Sequence, residues 1–180
     1  TGIKWGTENQ VEWECALRTG SSIAYVGIWA GLRSVTGASQ VEVTGDTSNA
    51  TYTADNNQAM FLFATDDDLG TITTHANLHF VYSIAGTDYV TDLGIAMAAS
   101  TTYKLRIVID SNRQVSVYVN GVQYGLTSST TAGGTTQSTT TTLSTALTDD
   151  IDLIPYVGVQ ALVDSSAKTL TLCYEKISRV

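Results

Sequence analysis

Two glutamates, Glu12 and Glu14, stand two apart in the run Val-Glu-Trp-Glu-Cys that opens at Val11. In an extended run both carboxylates lie on one face, because side chains alternate along a strand. Paired carboxylates are the working parts of glycoside hydrolysis, one as acid and the other as nucleophile or base. Like charges at this spacing are also ordinary on a solvated face, and no third acid follows, since Cys15 and Ala16 come next. Two aspartate-rich stretches suggest a different chemistry. Asp66, Asp67 and Asp68 form one; Asp149, Asp150 and Asp152 form the other. Calcium takes about six to eight oxygens, which neighbouring carboxylates and backbone carbonyls can supply. Neither stretch has EF-hand spacing, and a solvated turn is the competing reading.

His75 and His79 have the i, i+4 spacing that holds zinc on a helix. Here the flanking residues read as strand, so a loop histidine and an exposed strand histidine are expected. Neither a Ser-His-Asp motif nor a phosphate loop nor a nucleotide fingerprint stands out. The aromatics remain: Trp5, Trp29, Tyr52, Tyr89, Tyr118 and Tyr124. Such rings stack on sugars, pack on partners or fill cores. Trp29, inside the apolar run from Ile23 to Leu32, reads as core. Tyr118 is out of step with Val115, Val117 and Val119, so it points away from their face. Tyr118, Tyr124 and Tyr89 are the candidate contacts for a partner or a glycan.

The elements that must position these groups are strands. From Tyr103 to Gly125 the chain reads YKLRIVIDSNRQVSVYVNGVQYG. Tyr103, Leu105, Ile107 and Ile109 alternate with polar or exposed partners, and Val115, Val117 and Val119 alternate again. Asp110 to Arg113 and Asn120-Gly121 are turn chemistry, so two linked hairpins form a meander with one apolar face. Further strands are expected near Gln10–Arg18, Ile23–Leu32, Gln40–Thr44, Ala50–Ala54, Ala59–Ala64, Leu78–Ile84, Thr87–Leu93, Asp152–Val163 and Thr169–Ile177. The runs at Ile23 and Ala59 are apolar on both faces, as in strands covered on both sides. One short helix is expected at Gly94–Ser100. Pro155 suits a strand start or an edge, where its missing N–H does no harm. Residues 128–146 are almost all Thr, Ser and Gly, which is the composition of a surface loop or of an arm that orders on a neighbour.

The chain has 180 residues, which suits one β-sandwich domain over 1–180. Charged residues are only 14%, and the net charge is −8. A chain this acidic has no basic stripe for phosphates, so nucleic acid is not an expected partner. No apolar run is long enough to cross a bilayer as a helix, and a membrane is not expected either.

The pattern Tyr-x-Leu-x-Ile-x-Ile-Asp followed by Val-x-Val-Tyr-Val-Asn-Gly resembles the central meander of concanavalin A-like jelly rolls of the laminin-G and legume-lectin type. Leu153 to Gln160 and Tyr174 to Arg179 resemble the C-terminal strands of such domains in tailed-phage virion proteins. The resemblance implies an all-β fold, a two-sheet antiparallel jelly-roll sandwich. It implies a non-enzymatic adhesion module on a phage particle, a capsid decoration (cement) protein or a fibre domain. Its expected partners are other virion proteins, the major capsid protein or copies of itself, and its expected place is the virion surface. The alternative is a carbohydrate-binding, lectin-like module of a fibre or a secreted, extracellular protein. Glucanases share the fold, but their spacing of acids along one strand is absent at Glu12 and Glu14. Many members bind calcium at loop ends, which makes Ca2+ the one cofactor to consider. First and last strands are commonly neighbours in this fold, which would bring Cys15 near Cys173. Cys15 shares its face with Val11, Trp13 and Leu17, whereas Cys173 shares one with Thr171 and Glu175, opposite to Leu172 and Tyr174. Directly paired cysteines must lie on one side of a sheet, so two free thiols are expected.

Overall fold

The computed structural model describes residues 3–4, 10–34, 57–65, 74–85, 87–126, 146–149, 151–162 and 166–179. They form strands β1 (Ile3–Lys4), β2 (Val11–Thr19), β3 (Val26–Ser34), β4 (Gln58–Ala64), β5 (Asn77–Ile84), β6 (Thr87–Ala96), β7 (Thr102–Ile109), β8 (Val115–Val119), β9 (Val122–Tyr124), β10 (Asp152–Ala161) and β11 (Leu170–Arg179). One sheet has six strands in the order β1-β10-β3-β4-β5-β6, and the other has five in the order β11-β2-β7-β8-β9. Every pairing is antiparallel. The result is the two-sheet jelly roll expected from the alternation.

Period-2 patterning decides which side chains meet between the sheets. Val11, Trp13, Cys15 and Leu17 from β2 point inward, as do Leu105, Ile107 and Ile109 from β7 and Val115, Val117 and Val119 from β8. Ile28, Ala30 and Leu32 from β3, Ala59, Phe61 and Phe63 from β4, and Leu78, Phe80 and Tyr82 from β5 oppose them. Phe61 and Phe80 meet edge to face, with centroids 5.2 Å apart, the arrangement aromatic quadrupoles favour. Burying this layer is the main driving force for the fold, at about 1.5–3 kcal/mol for each large side chain.

The six-stranded sheet is apolar on its other face too. Trp29, Met60, Leu62, Ala64, Val81 and Val90 form a second buried cluster there. This explains why β3 and β4 read as apolar on both faces, and it corrects the expectation for His79. That histidine lies on this covered face and is only 1% exposed. Gly31 adopts φ +154, and a Cβ there would stand 2.4 Å from the Ala59 carbonyl oxygen. Only glycine lets β3 and β4 approach so closely.

The meander closes as its residues dictate. Asn120 and Gly121 have φ of 51° and 84°, the left-handed pair that joins two strands with matching twist. Asn120 Oδ1 also accepts the Lys104 N–H at 2.9 Å. The expected helix at Gly94–Ser100 is a correction. β6 runs on to Ala96, aided by an irregularity opposite Leu78 and His79. Gly94 takes φ 68°, and its N–H goes to Asp92 Oδ1 at 2.7 Å rather than into a helical turn. The strand expected from Ile23 begins at Val26, because Tyr25 takes φ 50° and Thr65 Oγ1 accepts the Val26 N–H. Pro155 sits inside β10 opposite Leu32 of β3, beyond the two described residues that pair with β1. The strands expected at Gln40–Thr44 and Ala50–Ala54, and the Thr/Ser/Gly segment, lie outside the described residues.

Candidate functional site

The outward face of the five-stranded sheet gathers polar groups from strands far apart in sequence. Antiparallel register sets them in rows. Lys176 lies opposite Glu14, Glu14 opposite Arg106, and Arg106 opposite Tyr118. In the next row Tyr174 and Lys104 flank Ala16. The small Ala16 side chain leaves a dip between its larger neighbours. The resulting groove is lined by Glu14, Lys104, Arg106, Tyr118, Gly121 and Tyr174. Nothing lies within 4 Å of where a Gly121 Cβ would be, so the groove is open at that rim.

The floor is fixed by hydrogen bonds. Arg106 Nη2 donates to Glu12 Oε2 at 2.8 Å, and its guanidinium carbon stands 5.0 Å from the centre of the Tyr118 ring. Bonding to Glu12 raises the guanidinium's already high pKa, so the charge is permanent. Tyr174 Oη donates to Glu14 Oε1. That bond, with a smaller contribution from burial, pushes the phenol up to about 12, so it stays a donor at any ordinary pH. Arg106 Nε is buried and has no hydrogen-bond partner. The groove therefore presents two amphipathic rings, two cations and a carboxylate.

Tyr174 stands here because β11 carries a bulge between Leu172 and Tyr174. One extra residue flips every later side chain. The expectation that Glu175 shares the outer face and Tyr174 the inner one is thereby reversed. Glu175 pairs with Cys15 on the core side, and its carboxylate accepts Trp13 Nε1–H at 2.9 Å. Both cysteines are free, Cys15 buried and Cys173 exposed. Burial, reinforced by Glu175 and Glu14, pushes the Cys15 thiol up to about 12.

A second polar group is buried at the end of β5 and β6. Asp92 Oδ2 accepts Thr74 Oγ1–H at 2.6 Å, and Asn77 Nδ2 reaches both carboxylate oxygens at 3.0 and 3.1 Å. Burial pushes Asp92 up, but the bonds from Thr74, the Gly94 N–H and Asn77 outweigh it and hold the carboxyl below its usual range. His79 Nε2 lies 3.2 Å from Thr74 Oγ1, and its Nδ1 lies 3.0 Å from the Asn77 carbonyl oxygen. Burial depresses this imidazole, against the opposing pull of Asp92. A neutral His79 has one N–H for the Thr74 and Asn77 oxygens, so it donates to one of them at a time, and the group as a whole clasps the Thr74–Asn77 turn.

Of the residues singled out from sequence, Tyr118 and Glu14 line the groove, and Glu12 holds its Arg106 from behind. Tyr89 instead packs beside Tyr82, ring centres 5.8 Å apart, and Tyr124 packs against the core from β9. Asp149 pairs with Arg113 at 3.5 Å, and Asp152 opens β10 opposite Lys4. Asp66, Asp67, Asp68 and Asp150 lie outside the described residues. Among the described residues no three His, Cys, Asp or Glu side chains come together to hold a metal. Lys104, Arg106, Tyr174 and Lys176 went unread. The alternation in β7 puts the first two outward, but nothing in the sequence says that β2 flanks β7 or that a bulge turns Tyr174 and Lys176 outward.

No family model matches the chain, and no curated protein matches it in sequence. Solved structures do. The carbohydrate recognition domain of Emp46p, in a potassium-bound form, superposes with a TM-score of 0.60 at 11% identity, over 97% of this chain and 74% of that one. The fold is a lectin-type jelly roll. An alginate lyase from Pseudomonas aeruginosa matches with a TM-score of 0.50 at 13% identity, over 98% of this chain and 68% of that one. A galectin from Caenorhabditis elegans gives 0.49 at 10% identity, over 99% and 88%. The reading of the chain as non-enzymatic is corrected by the lyase. An enzyme has this same fold across nearly the whole chain, so the sandwich itself is no mark of a merely structural protein.

Proposed function

We propose that the protein binds carbohydrate, with the glycan lying across the outward face of the five-stranded sheet. The observation that carries this is the groove itself, where Tyr118 and Tyr174 flank a floor of Glu14, Lys104 and Arg106. Sugars present apolar faces to aromatic rings and hydroxyls to charged and amide groups, and this lining has both kinds of surface. The likeness to a carbohydrate recognition domain and to an alginate lyase supports the same ligand class. A glycan array on the intact chain, repeated with Tyr118→Ala, tests the proposal. Glycan-dependent retention that drops several-fold in the variant is expected, since an aromatic contact is worth about 0.5–1.5 kcal/mol. Binding that ignores Tyr118, or no retained glycan at all, would refute the site.

Two finer statements belong to this proposal. Attachment to a phage particle, as a capsid decoration subunit or a fibre domain, is supported by the resemblance of Leu153–Gln160 and Tyr174–Arg179 to virion domains. Mass spectrometry of stripped particles checks it. Calcium is supported by the aspartates alone. Asp149 and Asp152 by themselves supply too few oxygens, so the ion requires Asp150 or Asp66–Asp68 to join them. A melting temperature unchanged by chelator and by added calcium removes the ion.

A further inference from the structure

From the charges that face the groove we infer that its ligand is an acidic glycan, one bearing carboxylate or sulfate groups along the chain. The inference rests on the carbohydrate-binding reading above and adds to it the class of sugar.

The protein carries a net charge of −8, with nine Lys and Arg in all. Four of those cations, Arg18, Lys104, Arg106 and Lys176, occupy outward positions on β2, β7 and β11. Among the described residues only two acids, Glu12 and Glu14, share that face. The groove side of an acidic molecule is therefore locally positive, which corrects the expectation, drawn from net charge, that the chain has no basic stripe. Charge sorted in this way concentrates a potential where a ligand meets the surface.

The acids are also the groups already engaged. Glu12 is paired with Arg106, and Glu14 accepts the Tyr174 hydroxyl. Among the described residues the ammonium groups of Lys104 and Lys176 have neither an ion pair nor a hydrogen bond. Arg106 uses Nη2 on Glu12, while its buried Nε has no partner. The Arg106 side chain nevertheless stays 38% exposed beside the groove, so its outer guanidinium face can still meet an acceptor supplied from outside. The open donors lie between two tyrosines. Tyr174 and Tyr118 stand on β11 and β8, three strand spacings apart in the order β11-β2-β7-β8, or about 14 Å. A chain crossing the strands could rest sugar rings on both tyrosines and bring its acidic groups over Lys104, Arg106 and Lys176. A neutral glycan would leave those cations unanswered.

Calorimetry of the full chain tests this with two probes of matched length, an oligogalacturonate hexamer and a neutral cellohexaose, each at low and at high salt. A sulfated oligosaccharide in a third arm separates sulfate from carboxylate. The acidic probes are expected to bind more tightly, with affinity falling as salt rises. Two solvent-exposed charge contacts account for about a tenfold difference, so Lys104→Gln with Lys176→Gln should lose about that factor toward the hexamer. A thermal melt confirms that the double variant is folded. Equal affinity for the neutral probe, with no response to salt or to the lysine changes, overturns the acidic class and leaves carbohydrate binding standing. If neither probe nor any arrayed glycan binds, both readings fall together.

Discussion

His79 and Asp92 show how a residue's setting fixes its chemistry. Both are buried, at 1% and 2% exposure, and both titrate below their usual ranges. For His79 the folded state keeps the neutral ring while the unfolded chain takes up a proton below about pH 6.5. Stability therefore falls as the pH drops through that value. Asp92 acts in the same direction at lower pH, where its hydrogen-bonded carboxylate must finally be protonated. Urea midpoints should thus be level above about pH 7, decline below about 6.5 and decline again toward pH 3. His79→Gln should remove the first decline. An unaltered pH profile in that variant would show that the ring does not titrate with folding. The two thiols make a second contrast. Cys15 is held as an inert thiol and Cys173 is exposed, and only thiolates react. A disulfide-exchange reagent should modify one thiol in the native protein and the second only on unfolding.

At the scale of elements, the bulge in β11 decides what the groove contains. Simple alternation from Leu170 misplaces Tyr174 and Glu175, because a bulge has no sequence signal as strong as an Asn-Gly turn. The meander from β7 to β9 was legible to the residue, since each strand is buried on one face only and its turns have their own chemistry. His79 was not legible. Alternation shows which residues share a face, but not whether that face is covered. The bulge makes a deletion test specific. Removing Cys173 takes out the extra residue and leaves Leu172 inward, Tyr174 outward and Glu175 inward, so the melting temperature should change by only a few degrees. Removing Lys176 instead flips Ile177, Ser178 and Arg179 to the wrong faces, and should lower it much further. Equal losses from the two deletions would contradict the register.

For the whole molecule, β11 is the exposed margin of its sheet. Leu172 and Ile177 are 45% and 37% exposed, among the described residues β11 pairs on one side alone, with β2, and a strand of this length with an open side invites another chain. The bulge, the inward Glu175, and the charges of Lys176 and Arg179 are the usual defences of such an edge. Glu175→Val with Lys176→Thr removes two of them, and should increase self-association over the wild type in sedimentation at rising concentration. No increase would mean that edge charge does not govern association.

The bond between Tyr174 and Glu14 joins residues 160 positions apart. Closing a loop of that span has an entropic cost that the docked strand must repay. The groove is therefore complete only once β11 docks on β2 and brings Tyr174 to its rim. A chain still emerging from the ribosome, or one clipped before residue 170, has no ligand site even with its remaining strands in place. A bound glycan would in turn hold that final strand down, slowing amide exchange along β11 ahead of the rest of the sandwich.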